Sequence, residues 1–215
     1  VEGYSRLARE AVEAGSISPE AKIDFRNATI DEIFAGAGDP PDFTTVAKRM
    51  LQPMSRRSGD PTILDVMVDT GILSADEKNA IGEMIFQGLQ LEKRMTDPKT
   101  FNQVMSDTPD LQKNLARLIG ANVGVLFGRG DASLQAAAIG SAFFKKYIDQ
   151  LPIANQKNQM ELLFKVPELI VAGIKGRGPM QKTVIETIKE YTRMARQLGV
   201  GGAVTIAGRK VGDNL

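Results

Sequence analysis

Residues 115–128 read LARLIGANVGVLFG, and residues 132–144 read ASLQAAAIGSAFF. Gly120, Gly124 and Gly128 stand four apart in the first stretch; Ala132, Ala136 and Gly140 stand four apart in the second, with Ser141 beside them. Residues four apart share one face of an α-helix. A face made of Gly and Ala lets another backbone come close. Each Gly costs a helix roughly 0.5–1 kcal/mol relative to Ala, so three on one face imply a packing reason. The two stretches are therefore expected to be helices that meet tightly, on each other or on a partner, and these seven small residues are the candidate helix-packing or oligomer interface.

The same period extends outward. Leu111, Leu115, Leu118, Ile119 and Val123 line one face leading into the ladder. Ala80, Ile81, Met84, Ile85, Leu89 and Leu91 line a broad face between about Ala75 and Arg94, and Val184, Ile185, Ile188, Tyr191, Met194 and Leu198 mark a last long helix. Alternation of period two is confined to Ala203–Ile206, the one candidate strand. Helix starts recur as a polar cap followed by Pro: Ser18-Pro19, Asp60-Pro61, Asp97-Pro98 and Thr108-Pro109. Thr29 with Glu32 and Ser74 with Glu77 have the spacing of capping boxes. Asp131 is a candidate cap after Gly130, and Val166-Pro167 and Gly178-Pro179 open two further helices. The expected class is all-α, with about ten short-to-medium helices in an irregular bundle.

Composition agrees. Of 215 residues, 42% are apolar and 25% charged, with a net charge of +1. That is enough chain and enough apolar material for a proper core. The near-zero charge favours neither nucleic acid nor an anionic membrane as a whole-molecule partner. Leu118–Phe127, a nearly uncharged run, is about half the roughly 20 residues that cross a bilayer. The Gly-rich residues 199–215 are expected to form an extended arm. Arg56-Arg57-Ser58-Gly59 suggests a boundary between a segment of short helices, 1–57, and a helical core domain, 58–198. The start at Val1, without Met, is expected of a piece of something longer.

Cys, His and Trp are absent. Thiolate chemistry, zinc–thiolate sites and imidazole general bases are thereby excluded. GAGDPPD (36–42) and GRGDAS (128–133) lack the Gly-Lys-Ser/Thr ending of a phosphate loop and follow no strand, so they read as turns between helices. The tripeptide Arg129-Gly130-Asp131 reads likewise, as turn plus cap. Asp65 and Asp69 are four apart, but acidic residues near helix starts are accounted for by the helix dipole and solvent. Ser141 and Lys145 share a face without any sign of an oxyanion hole. A single carboxylate such as Glu83 or Glu161 would be the only hydrolytic candidate. No cofactor, metal or catalytic residue is expected. Lys145, Lys146, Lys157, Lys165, Lys175, Arg177 and Lys182 form a basic cluster, extended by Arg193, Arg196, Arg209 and Lys210, which offers an alternative reading as a nucleic-acid contact. The aromatics interleaved with it, Phe143, Phe144, Tyr147 and Phe164, are few for a single-strand binder.

Residues 114–176 carry a particular order of features. An apolar helix runs into Gly-Ala-x-x-Gly (120–124), and a Gly-containing turn follows. A Ser-Leu-x-Ala-Ala-x-x-Gly-Ser helix (133–141) comes next, then the Leu151-Pro152 break and a short helix closing on Pro167-Glu168-Leu169. This order resembles the C-terminal region of the large internal virion, or DNA-ejection, proteins of short-tailed bacteriophages. The resemblance implies a non-enzymatic structural virion component. Such a protein is held inside the capsid near the portal with other internal proteins, oligomerises, and assists genome ejection across the host envelope. Contact with DNA and transient contact with the host membrane are further implications.

Overall fold

A computed structural model describes residues 18–54, 60–119, 153–176 and 178–197. Within them lie nine helices: α1 (Pro19–Ala35), α2 (Phe43–Leu51), α3 (Ile63–Asp69), α4 (Ala75–Met95), α5 (Pro98–Ser106), α6 (Pro109–Ile119), α7 (Ile153–Phe164), α8 (Pro167–Lys175) and α9 (Pro179–Gln197). No strand occurs among the described residues, and the protein is all-α, as the periodicity implies.

The starts follow the caps in most places. Ser18 Oγ accepts from the Ala21 amide at 3.1 Å ahead of Pro19. Ser74 and Glu77 form the reciprocal box that opens α4. Pro98, Pro109, Pro167 and Pro179 each take the first helical position, where a missing N–H costs nothing. Two expected starts are corrected. Thr29 caps nothing; it lies inside α1 and its hydroxyl donates to the Phe25 carbonyl at 2.8 Å. A threonine whose hydroxyl is satisfied one turn back can be buried in mid-helix, and Ser18 has already set the start. The helix expected at Asp60-Pro61 opens instead at Thr62, which forms a capping box with Asp65. A bridge between Pro53 and Thr62, with the Met54 amide on the Pro61 carbonyl, holds residues 61–62 extended.

The apolar stripe read on α4 is its buried face: Ala80, Ile81, Met84, Ile85, Leu89 and Leu91 are all in the core. Phe86, Gly82 and Gly88 are buried as well, so α4 is covered nearly all round. It is the central element, contacted by α2, α3, α5, α6, α7 and α8. Ile30, Phe34, Phe43 and Leu51, before residue 57, share one continuous core with Leu64, Phe86, Leu111 and Phe164, after it.

Two glycines explain how closely the helices approach α4. A Cβ on Gly88 would stand 2.2 Å from the ring of Phe43, and one on Gly82 would stand 3.0 Å from Leu118 Cβ. Phe43 therefore lies directly on the backbone of α4. Its ring also meets Phe34 edge-on, at 6.2 Å between centroids, and Phe164 at 6.4 Å. Phe34 and Phe164 meet at 5.1 Å. These three rings join α1, α2 and α7, and such pairs add about 0.5–1.5 kcal/mol each beyond area burial.

Candidate functional site

Arg26, on α1, is buried, and all of its named partners are at a distance in sequence. Its Nη1 donates to Glu168 Oε2 at 3.1 Å and lies 3.7 Å from Glu77 Oε1. Its Nη2 donates to the Lys165 carbonyl at 2.8 Å. One guanidinium thus ties α1 to α4, to the start of α8 and to the turn between α7 and α8. Lys165, 3% exposed, pairs its ammonium with Asp31 of α1. Lys157 of α7, 6% exposed, pairs with Glu92 of α4 at 2.7 Å. Glu92 Oε2 also accepts from the Phe43 amide at 3.3 Å, so the carboxylate serves the open N-terminus of α2 as well. These three cations are the buried charged residues among the described ones, and together they line the surface where α7 and α8 meet α1 and α4.

The acids face water more than the bases do. The Asp31 and Glu168 side chains are 39% and 46% exposed, whereas those of Arg26 and Lys165 are 5% and 2% exposed. Long aliphatic stems let Lys and Arg be buried while the partner carboxylate stays at the rim. The seam is incompletely satisfied: Arg26 Nε is buried without a hydrogen-bond partner.

This arrangement corrects part of the basic cluster read from sequence. Lys157 and Lys165 are not on a nucleic-acid-facing surface; burial and ion pairing hold them inside the fold. The reason is invisible locally, because Asp31 and Glu92 lie far away in the chain. Lys175 is exposed and paired with Asp76, and Lys182 is exposed on α9. Lys145, Lys146 and Arg177 lie outside the described residues, as do Gly120, Gly124, Gly128, Ala132, Ala136, Gly140 and Ser141. The candidate strand 203–206, the arm 199–215, the Asp131 cap and the boundary residues 56–59 lie outside them too.

Two carboxyls are perturbed upward. Burial raises Glu83 to about 7, and its Oε2 has no hydrogen-bond partner. Glu161, on α7, is raised by burial; Lys165 opposes that shift while Asp31 and Asp39 add to it. Both are the hydrolytic candidates named from sequence. A raised carboxyl alone makes a proton donor, and chemistry would also need a second group placed for the substrate. Among the described residues none is bonded to Glu83 Oε2.

Asp65 behaves oppositely. Burial would raise it, but hydrogen bonds from Lys78, the Thr62 amide and the Thr62 hydroxyl lower it to about 2. Arg117 adds a pair at 3.3 Å. Asp65 is a cap and ion-pair hub, and Asp69 is exposed, so the two are not a catalytic carboxylate pair. Among the described residues no group of three or more acids stands where it could hold a metal ion.

A groove of about 420 Å³ opens between α1, α2 and the start of α3. Thr29, Glu32, Ile33, Lys48, Arg49, Gln52, Pro53, Met54 and Ile63 line it. Arg49 crosses its wall to reach the Glu32 and Ile33 carbonyls at 3.3 and 3.5 Å, closing the C-terminal end of α1. Its guanidinium fills the space where a Cβ of Gly36 would be. The GAGDPPD segment is the turn that follows. Gly38 there has φ +91° and the Asp39–Pro40 peptide is cis. It joins two helices, as a linking turn should. No described helix is long and apolar enough to cross a membrane. Comparison of the chain with known protein families, with curated proteins and with solved structures finds no match.

Proposed function

We propose that this chain is a non-enzymatic structural domain of a tailed-phage internal virion protein, which docks and oligomerises near the portal and assists genome ejection. The observation that carries the structural part is the inward use of charge. Arg26, Lys157 and Lys165 are committed to partners within the fold, where they hold helices in place rather than present a reactive or binding group. The phage assignment rests on the resemblance over residues 114–176, and self-association rests on the ladder from Gly120 to Gly140. Light scattering tests the assembly reading, with and without vesicles of phosphatidylethanolamine and phosphatidylglycerol. A discrete oligomer in either condition is the expected result. A monomer under both conditions, at concentrations up to those inside a capsid, overturns self-assembly.

A second reading, a nucleic-acid-binding module, has Lys175 and Lys182 in its favour, since both stay on the surface. Binding of duplex DNA that falls steeply with salt would support it. Absence of binding at low salt would remove it.

A further inference from the structure

The helices on α4 are joined to it through two kinds of surface. α2 and α6 both pack on α4; the buried residues they bring to the common core are Phe43, Val46, Ala47, Met50, Leu51, Leu111 and Leu115, and α4 brings Ile81, Met84, Ile85 and Leu89. No buried charged residue belongs to α2 or α6. Where α7 and α8 meet α4 and α1, apolar residues are also buried, among them Phe164 and Ile170. Here, however, Arg26, Lys157 and Lys165 are buried with them, and Arg26 Nε has no partner.

Separating the two surfaces has different consequences. Opening an apolar seam exposes hydrocarbon to water and gains nothing in return. Opening the charged seam also exposes hydrocarbon, but it rehydrates three cations, their carboxylates and the orphaned Arg26 Nε. A buried ion pair gives back most of its Coulombic gain as desolvation. The charged seam is therefore the weaker joint for a given area. α9 packs on α7 and α8 and has no comparable contact with α4, so it moves with them.

We propose that α7, α8 and α9 form one unit that undocks from α1–α6 before the rest of the protein unfolds, with the charged seam as its line of separation. Undocking presents Phe164, Leu169 and Ile170 on one side and Phe34 and Phe43 on the other. It is a built-in opening by which the domain can rearrange without losing its α1–α6 core. The unit is a region of low opening free energy within a folded molecule.

Native-state hydrogen exchange of the full chain, measured across sub-denaturing urea, tests this directly. Amides of 157–174 and 184–191 are expected to exchange through one common opening. Their protection should be at least about tenfold lower than that of 46–51, 81–91 and 112–116. A quadruple substitution, K157M/E92Q with K165M/D31N, removes the paired charges but keeps volume and an acceptor for the Phe43 amide. It should raise protection of α7–α9 about tenfold and leave α6 unchanged. Equal exchange free energies for all these helices in the wild-type chain overturn the proposal without any variant. So does a quadruple variant that shifts every helix equally.

Discussion

The two seams on α4 solve one packing problem by different means. On one side, Gly88 and Gly82 have no side chain, so that Phe43 and Leu118 reach the helix backbone, and shape alone holds the contact. On the other, Lys157, Lys165 and Arg26 reach across with long stems, and position depends on which carboxylate each one finds. Shape tolerates no added atom, whereas charge tolerates volume-conserving replacement if both partners change together. The apolar seam should therefore be brittle to single substitutions, and the charged seam brittle to single but robust to paired ones.

The largest test of that contrast is Phe43→Ala. The ring is fully buried, rests on Gly88 and contacts Phe34 and Phe164. Its loss should cost about 3–5 kcal/mol in urea unfolding, as for other buried aromatics. A cost under about 1 kcal/mol would mean that the seam can collapse around the void, and the claim of brittleness would fail.

Glu83 sharpens the comparison from within α4 itself. Glu92 is paired with Lys157, while Glu83 is desolvated and has no ion pair among the described residues. Its folded pKa of about 7 lies above the 4.5 of an ordinary glutamate. A raised folded pKa contributes stability that is fully present below pH 4.5 and is lost as pH rises through 7. Glu83→Gln should remove that decline and make the protein about 2–3 kcal/mol more stable than wild type at pH 8. The two proteins should converge near pH 4.5. Parallel stability curves across this range would show that Glu83 ionises as freely in the fold as in water.

Gly88→Ala adds a single methyl at the closest contact in the apolar seam. The added Cβ gains up to about 1 kcal/mol in helix propensity but must displace a buried ring, for a net loss of about 1–2 kcal/mol. A stabilised variant would show that Phe43 has room to turn aside. Gly82→Ala, at 3.0 Å from Leu118, should lie closer to neutral.

Much of this fold is legible locally, and the seams are not. The stripe Ala80–Leu91 and the Pro-marked starts at 19, 98, 109, 167 and 179 depend on neighbours within a few residues, so the sequence displays them. Lys157 looks like any surface lysine, because nothing within a turn of it predicts Glu92. Gly82 and Gly88 are six apart, off the four-residue spacing that singles out Gly120 and Gly140, and so they escape a search for small-residue faces. Thr29 with Glu32 misleads for the opposite reason: the local pattern is real, but Ser18 and Pro19 have already committed the chain to helix.

The smallest effects lie at helix starts, where the same contrast between shape and charge reappears. Ser74 and Asp97 read alike in the sequence, each a cap at the start of a helix. In the structure Ser74 shares reciprocal hydrogen bonds with Glu77, at 3.2 Å and 2.7 Å. Asp97 makes no side-chain bond to the α5 backbone, and only the Thr100 hydroxyl donates to it, at 3.3 Å. Ser74→Ala should therefore cost about 1 kcal/mol, and it would loosen Glu77, which also lies beside Arg26 in the charged seam. Asp97→Ala keeps Pro98 to start the helix and loses only an exposed charge near its N-terminus, about 0.3 kcal/mol at low salt. Measured side by side by urea unfolding, the serine should matter more. If the aspartate matters as much, then charge at the helix end outweighs cap geometry, and the box at Ser74 contributes no more than its dipole partner Glu77 would alone.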